Sequence, residues 1–135
     1  QKGAKLLAGG TRKTPGYFFL PAVLINTTPN MNAVSQETFG PVAPIIVAQD
    51  DEEIIKIANN TEFGLSASIW SKDLHRAKAM AKRIHAGGVF INSVSKSHPL
   101  LPLGGIKKSG FGRELSHYGI KEFVNIKTIN VYEQK

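Results

Sequence analysis

Two carboxylates stand out in this chain because of what surrounds them. Glu37 lies in Ser35-Gln36-Glu37-Thr38-Phe39-Gly40-Pro41-Val42, where glycine and proline fix a turn that can hold one side chain in a defined direction. Glu114 ends a longer run, Pro102-Leu103-Gly104-Gly105-Ile106-Lys107-Lys108-Ser109-Gly110-Phe111-Gly112-Arg113-Glu114. A carboxylate offers a two-oxygen acceptor, and one shielded enough for its pKa to rise towards neutrality can move protons. Both also have plain structural readings: Glu37 as a surface residue beside a core Phe39, and Glu114 as a capping-type acid at the start of a short helix. Between them, Asn92 closes an apolar stretch and opens a polar one holding Ser93, Ser95, Lys96, Ser97 and His98. The end of a strand is where α/β proteins commonly line a site. Arg113 reads as a structural ion-pair partner rather than a catalyst.

Other chemistries find no support. Ser93-Val94-Ser95-Lys96 fits S-x-x-K, but the companion S-D-N and K-T-G motifs are absent and Pro99 opposes a helix after it. There is no G-x-S-x-G elbow. His75, His85, His98 and His117 lack partners at helical spacing, so no metal site is expected. The chain has no cysteine, which excludes a disulfide scaffold and a thiolate metal site and agrees with a cytoplasmic location. Gly110-Phe111-Gly112-Arg113-Glu114-Leu115 misses the third glycine of a dinucleotide fingerprint.

The Glu37 and Glu114 segments, in this order, nearly reproduce E-x-F-G-P and P-F-G-G-x-K-x-S-G-x-G-R-E, and the chain thereby resembles the C-terminal part of the NAD(P)-dependent aldehyde dehydrogenases. Lys2-Gly3-Ala4-Lys5-Leu6-Leu7-Ala8-Gly9-Gly10, Gly16-Tyr17-Phe18-Phe19-Leu20-Pro21 and Asn60-Thr61-Glu62-Phe63-Gly64-Leu65 extend the resemblance over essentially the whole sequence. It implies that Glu37 binds the ribose hydroxyls next to nicotinamide and that Phe39 packs against the nicotinamide ring. Glu114 would assist proton transfer from the water that hydrolyses a thioester. Residues 113 to 123 look most like the succinate-semialdehyde branch, in which a loop serine binds the distal carboxylate; counting back from Gly104-Gly105 puts Ser97 there, with His98 as a substitute. The family usually has Phe where this chain has Leu103, a change that would widen or reshape the aldehyde tunnel. The family's reaction needs a thiolate nucleophile. With no cysteine and no dinucleotide fold, the chain reads as the last part of a longer enzyme and as inactive alone. Residues 1 to 122 would be the C-terminal portion of a catalytic domain. Residues 123 to 135 would be an oligomerisation strand and tail, pairing with a neighbouring subunit in a homo-oligomer.

Composition is compatible with this reading and with others. At 135 residues, with 41% hydrophobic and 20% charged residues, the chain is one domain or a piece of one. A formal charge of +7 invites nucleic acid or a small polyanion as ligand, yet the 17 Lys and Arg are dispersed and no aromatics interleave with them. Neither nucleic acid nor membrane is expected as a partner, and no run approaches the roughly 18 apolar residues of a membrane span. Asn26-Thr27-Thr28 and Asn59-Asn60-Thr61 match the glycosylation pattern and read as chance. A non-catalytic oligomerisation or interaction module is the alternative from another class.

The elements that must position these residues follow from periodicity. Residues 42 to 47 are β-branched and interrupted by Pro44, which suits a strand start or an edge. Asp50 or Asp51 caps a helix with Ile54, Ile57 and Ala58 on one face, ending near Gly64. Residues 65 to 70 form the next strand. Asp73 caps a longer helix marked by Leu74, Ala77, Ala81 and Ile84, with His75 and His85 exposed and Gly87-Gly88 as its stop. Residues 89 to 92 form a third strand. The expectation is an α/β fold in which a β-α-β-α-β unit with parallel strands is followed by a long irregular loop and a short helix over 113 to 118. Ahead of it, residues 1 to 30 hold a helix end, a turn at Thr14-Pro15-Gly16 and an apolar stretch from 17 to 25.

Overall fold

A computed structural model describes residues 3–133. The chain divides after Thr61 into two compact units. Gln1, Lys2, Gln134 and Lys135, the ends of the expected catalytic-domain portion and tail, lie outside the described residues.

In the first unit, β1 (Lys5–Ala8) runs antiparallel to β4 (Ala22–Ile25), and β4 pairs in parallel with β5 (Val42–Pro44). Between β1 and β4, a small hairpin of β2 (Arg12–Lys13) and β3 (Phe18–Phe19) closes around the turn at Thr14-Pro15-Gly16. The segment expected to be a helix end is therefore strand β1: its pairing with the distant β4, invisible locally, overrides local preference. Pro44 sits at the last position of an edge strand, where its missing N–H breaks no ladder bond. Helix α1 is a single turn (Asn32–Ser35) beneath which Met31 is buried. The buried Thr27 hydroxyl donates to Ile45 O at 2.6 Å.

Helix α2 (Asp51–Asn59) starts as its acids dictate. Asp50 accepts from the Glu53 N–H at 2.8 Å and Glu53 in turn accepts from the Gln49 N–H at 2.7 Å, a reciprocal cap at the end where negative charge is favoured. It stops at Asn60, short of Gly64. Its buried face centres on Ile55 rather than on Ile54, Ile57 and Ala58; the neighbours it packs against select the face, and three near-adjacent isoleucines leave that choice open to the sequence.

The second unit is built on β6 (Ser66–Ile69), α3 (Leu74–Ala81) and β7 (Gly88–Ile91), with β6 and β7 parallel in register from Ser66↔Gly88 to Ile69↔Ile91. Asp73 caps α3 by accepting from the Arg76 N–H at 2.9 Å. Ala77 is fully buried and Met80 nearly so, while Leu74 stays exposed. The helix ends at Ala81, and Gly88 opens β7 instead of stopping α3. The succession β5-α2-β6-α3-β7 is the expected one, in an α/β fold, with β5 paired to β4 and β6 to β7. Residues 92 to 113 are irregular apart from a 3₁₀ turn at Lys107–Ser109.

Helix α4 (Ser116–Lys121) begins later than the residues alone imply. Leu103 and Glu114 exchange backbone hydrogen bonds of 2.9 and 2.7 Å, holding 113 and 114 extended, and Leu115 turns with φ +62° before the helix can start. Residues 125 to 133 adopt no helix or strand; Phe123, Ile126, Ile129 and Tyr132 are all more than four-fifths exposed. No helix among the described residues is long and apolar enough to cross a membrane.

Candidate functional site

In the second unit, a cleft of 440 Å³ is lined by Leu103, Ser109, Phe111, Arg113, Glu114 and Glu122 together with glycine backbone. Its wall is the excursion from Leu103 to Glu114, whose two ends form the antiparallel bridge just described. Arg113 forms no ion pair among the described residues. Its Nη1 donates to Gly105 O at 3.1 Å and Gly112 O at 2.6 Å, tying the two arms two residues inside that bridge. The expected ion-pair role is thus corrected: the half-buried guanidinium serves carbonyls that the turn leaves without backbone partners. The Arg113 N–H points to Glu122 Oε1 at 3.3 Å.

The excursion is moored to the turn before β6. Gly64 O accepts from both Gly87 N–H and Ile106 N–H at 3.0 Å, and the Gly64 N–H donates to the Ser109 hydroxyl at 2.9 Å. Lys108 N–H reaches Glu62 O at 3.0 Å, and their side chains pair at 2.5 Å. That ion pair is exposed and contributes little, about 0–1 kcal/mol, so the backbone bonds carry the mooring. Gly87 is indispensable here: a Cβ on it would fall 1.7 Å from Gly104 O. Asn60-Thr61-Glu62-Phe63-Gly64-Leu65 and the Gly104-Gly105 run, both distinctive as sequence, supply the two halves of this junction from Glu62 onward.

Ser97 and His98 are exposed on the loop leading into the excursion. His98 is partly committed, its Nδ1 accepting from the Leu100 N–H at 3.2 Å, while Pro99 O accepts from the Ser116 N–H at 2.9 Å and ties this loop to the start of α4. Asn92 adopts φ +52°, tolerable for Asn. Its side chain clamps Ser71, accepting from the N–H at 2.8 Å and donating to the carbonyl at 2.9 Å, and so continues the β6–β7 pairing beyond Ile91. Glu114 lies on the cleft wall and is exposed among the described residues, without the shielding expected of a proton-moving carboxylate.

Glu37 and Phe39 lie together in the first unit, on the loop between α1 and β5. The Glu37 side chain is exposed. Phe39 is 95% exposed at φ +32°, a conformation that costs an aromatic residue on the order of 1–3 kcal/mol and gains it no burial. Pro41 O fixes the loop's exit by accepting from the Ala22 N–H at 2.8 Å. The core position expected of Phe39 on purely structural grounds is therefore not found.

The structure thus joins Leu103 to Glu114, groups Ser97 with His98, and groups Glu37 with Phe39. The reading of the sequence missed Gly87, Ser109 and Glu122. Gly87 carried a local signal, a Gly-Gly pair that reads equally as a helix stop, and Ser109 stands in the motif that ends at Glu114 without a role being read for it.

A parallel β-α-β unit followed by a glycine-rich excursion is the α/β portion seen here, and residues 1–129 match the model of the aldehyde dehydrogenase family. The chain belongs to that family. It is 50% identical over 129 residues to the succinate semialdehyde dehydrogenase [NAD(P)+] Sad of Escherichia coli (strain K12), covering 95% of this chain and 28% of that protein. Among solved structures, it resembles the succinate-semialdehyde dehydrogenase of Burkholderia pseudomallei with a TM-score of 0.87 and 46% identity, over 93% of this chain and 26% of the other. It also resembles the betaine aldehyde dehydrogenase of Staphylococcus aureus in complex with NAD+, with a TM-score of 0.85 and 35% identity, over 90% of this chain and 25% of the other. The chain therefore spans little more than a quarter of the length of these relatives.

Proposed function

We propose that this chain acts as the C-terminal portion of an NAD(P)-dependent aldehyde dehydrogenase whose substrate is a short aldehyde carrying a distal carboxylate, succinate semialdehyde being the best fit. The carrying observation is the cleft wall on which Leu103 and Glu114 are locked side by side by reciprocal backbone bonds. Leu103 forms part of the wall of the aldehyde tunnel, and Glu114 takes a proton from the water that releases the acid product. Ser97 donates a hydrogen bond to the distal carboxylate, with His98 beside it.

Glu37 and Phe39 fit a nicotinamide nucleoside: a two-oxygen acceptor suits vicinal ribose hydroxyls, and an unburied ring in a strained backbone offers a face for stacking. NAD(P), when bound beside Glu37 and Phe39, would supply the hydride acceptor. The nucleophilic thiol is absent from residues 1 to 135, so it comes from elsewhere in the enzyme and this chain alone is inactive. Residues 123 to 135 pair with a neighbouring subunit of a homo-oligomer, and the enzyme is cytoplasmic.

The test is Ser97→Ala in the full-length enzyme. A hydroxyl donor to a carboxylate is worth about 1.5–3 kcal/mol, so KM for succinate semialdehyde rises by about 10-fold to 100-fold while an uncharged aldehyde of similar length is little affected. Equal effects on the two substrates, or none, would overturn the assignment of Ser97.

A further inference from the structure

We infer that Arg113 is a positioning residue that sets Leu103 and Glu114 as one rigid unit, an inference that rests on the role proposed above for Glu114. Leu103 and Glu114 are joined to each other by one reciprocal pair of backbone bonds, 2.9 and 2.7 Å, at the mouth of an excursion with no other ladder pairing. A lone bridge of this kind opens easily unless something closes the loop behind it. Arg113 does so: one guanidinium nitrogen bonds Gly112 O at 2.6 Å and Gly105 O at 3.1 Å, on opposite arms of the excursion. Without the guanidinium, each of these oxygens would lose the side-chain donor it has here.

The packing leaves little slack around this contact. A Cβ on Gly104 would lie 2.6 Å from Gly112 O and 3.0 Å from Arg113 Cδ, so the arms touch at backbone distance with the Arg113 stem between them. From behind, Glu122 bears on the same turn, with Oε1 3.3 Å from the Arg113 N and Oε2 2.9 Å from the position of a Cβ on Gly112. The neighbouring Ser116 N–H to Pro99 O bond extends the same rigid segment to the loop carrying Ser97 and His98. Arg113 thus acts through the backbone of the excursion, fixing where the proton-moving carboxylate stands against the tunnel wall.

The test separates positioning from general stability by following hydride transfer and product release in the full-length enzyme that carries this chain. Glu114 acts after hydride transfer. Loosening it should therefore leave the first-turnover burst of NAD(P)H intact and slow only the steady state. Misplacement by about 1 Å can cost about 100-fold, so Arg113→Met is expected to lower steady-state turnover per active site by about 10-fold to 100-fold with burst rate and amplitude retained. Arg113→Lys, which keeps charge but loses the planar fork, should fall between Arg113→Met and the parent enzyme. Combining Arg113→Met with Glu114→Gln should be no slower than Glu114→Gln alone, and amide exchange at Leu103 and Glu114 should accelerate in Arg113→Met. Unchanged turnover in Arg113→Met beside a slow Glu114→Gln would overturn the inference and leave the proposed role of Glu114 standing. Loss of burst and steady state in equal proportion would make Arg113 a residue of general stability. An unaffected Glu114→Gln would overturn both readings.

Discussion

Gly87→Ala is the sharpest perturbation available at the junction beneath the cleft. The added methyl would fall 1.7 Å from Gly104 O, 2.8 Å from the carbonyl carbon and 3.2 Å from Leu65 O. These are backbone atoms, so no rotamer change relieves the clash; restoring an ordinary contact of roughly 3.5 Å moves Gly104 by about 1.5–2 Å. Such a retreat draws Ile106 N–H away from Gly64 O, a bond worth about 0.5–1.5 kcal/mol, on top of about 1–3 kcal/mol of overpacking strain. The sum is a destabilisation of about 1.5–4.5 kcal/mol. Gly88→Ala is the internal control, because its Cβ would meet only the Phe90 ring edge, at 3.3 Å, and a ring can turn aside. That variant should stay within about 1 kcal/mol of the parent, with a gain in strand rigidity offsetting the crowding. Urea denaturation of the full-length enzyme, read by circular dichroism and by turnover, makes the comparison. In Gly87→Ala, Leu103 moves with Gly104, so turnover should fall even where the protein remains folded. Equal midpoints for the two variants would refute the claim that the excursion is seated against the start of β7.

Asn92→Ala removes both side-chain bonds to Ser71 and leaves a φ of +52° to a residue that disfavours it, so it should destabilise the protein by about 1–3 kcal/mol; an unchanged denaturation midpoint would refute the clamp. Glu37→Gln alters an exposed side chain, so stability should not change, but the loss of one charged acceptor should slow single-turnover hydride transfer, by up to about 100-fold if the nicotinamide shifts by about 1 Å. Unchanged single-turnover rates would return Glu37 to an ordinary surface residue.

What the sequence made legible was local chemistry. Asp50 and Asp73 announce the starts of α2 and α3, because a short side chain that caps acts within its own first turn. The β6 and β7 strands follow from apolar runs between turn residues, and the edge placement of β5 follows from Pro44. Decisions taken by distant partners were not legible. Lys5–Ala8 is a strand because β4 lies beside it, and Ile55 rather than Ile54 faces inward because of what α2 packs on. Within the site, Glu114 and Leu103 were each recognisable, but nothing in their spacing told that they form a bridge, or that Arg113 would spend its donors on carbonyls.

The tail shows the same limit from the other side. Residues 123 to 133 include Val124, Ile126, Ile129, Val131 and Tyr132, residue types that favour strands, yet residues 125 to 133 form none and their large apolar side chains lie open. Strand preference is largely a preference for a pleated, half-buried neighbour, and no described segment of this chain provides one there. A second subunit supplying a sheet edge would satisfy the unpaired N–H and C=O groups and cover the exposed Phe123, Ile126 and Tyr132 side chains at once, and it is on this physical ground, besides family likeness, that the proposed homo-oligomer rests.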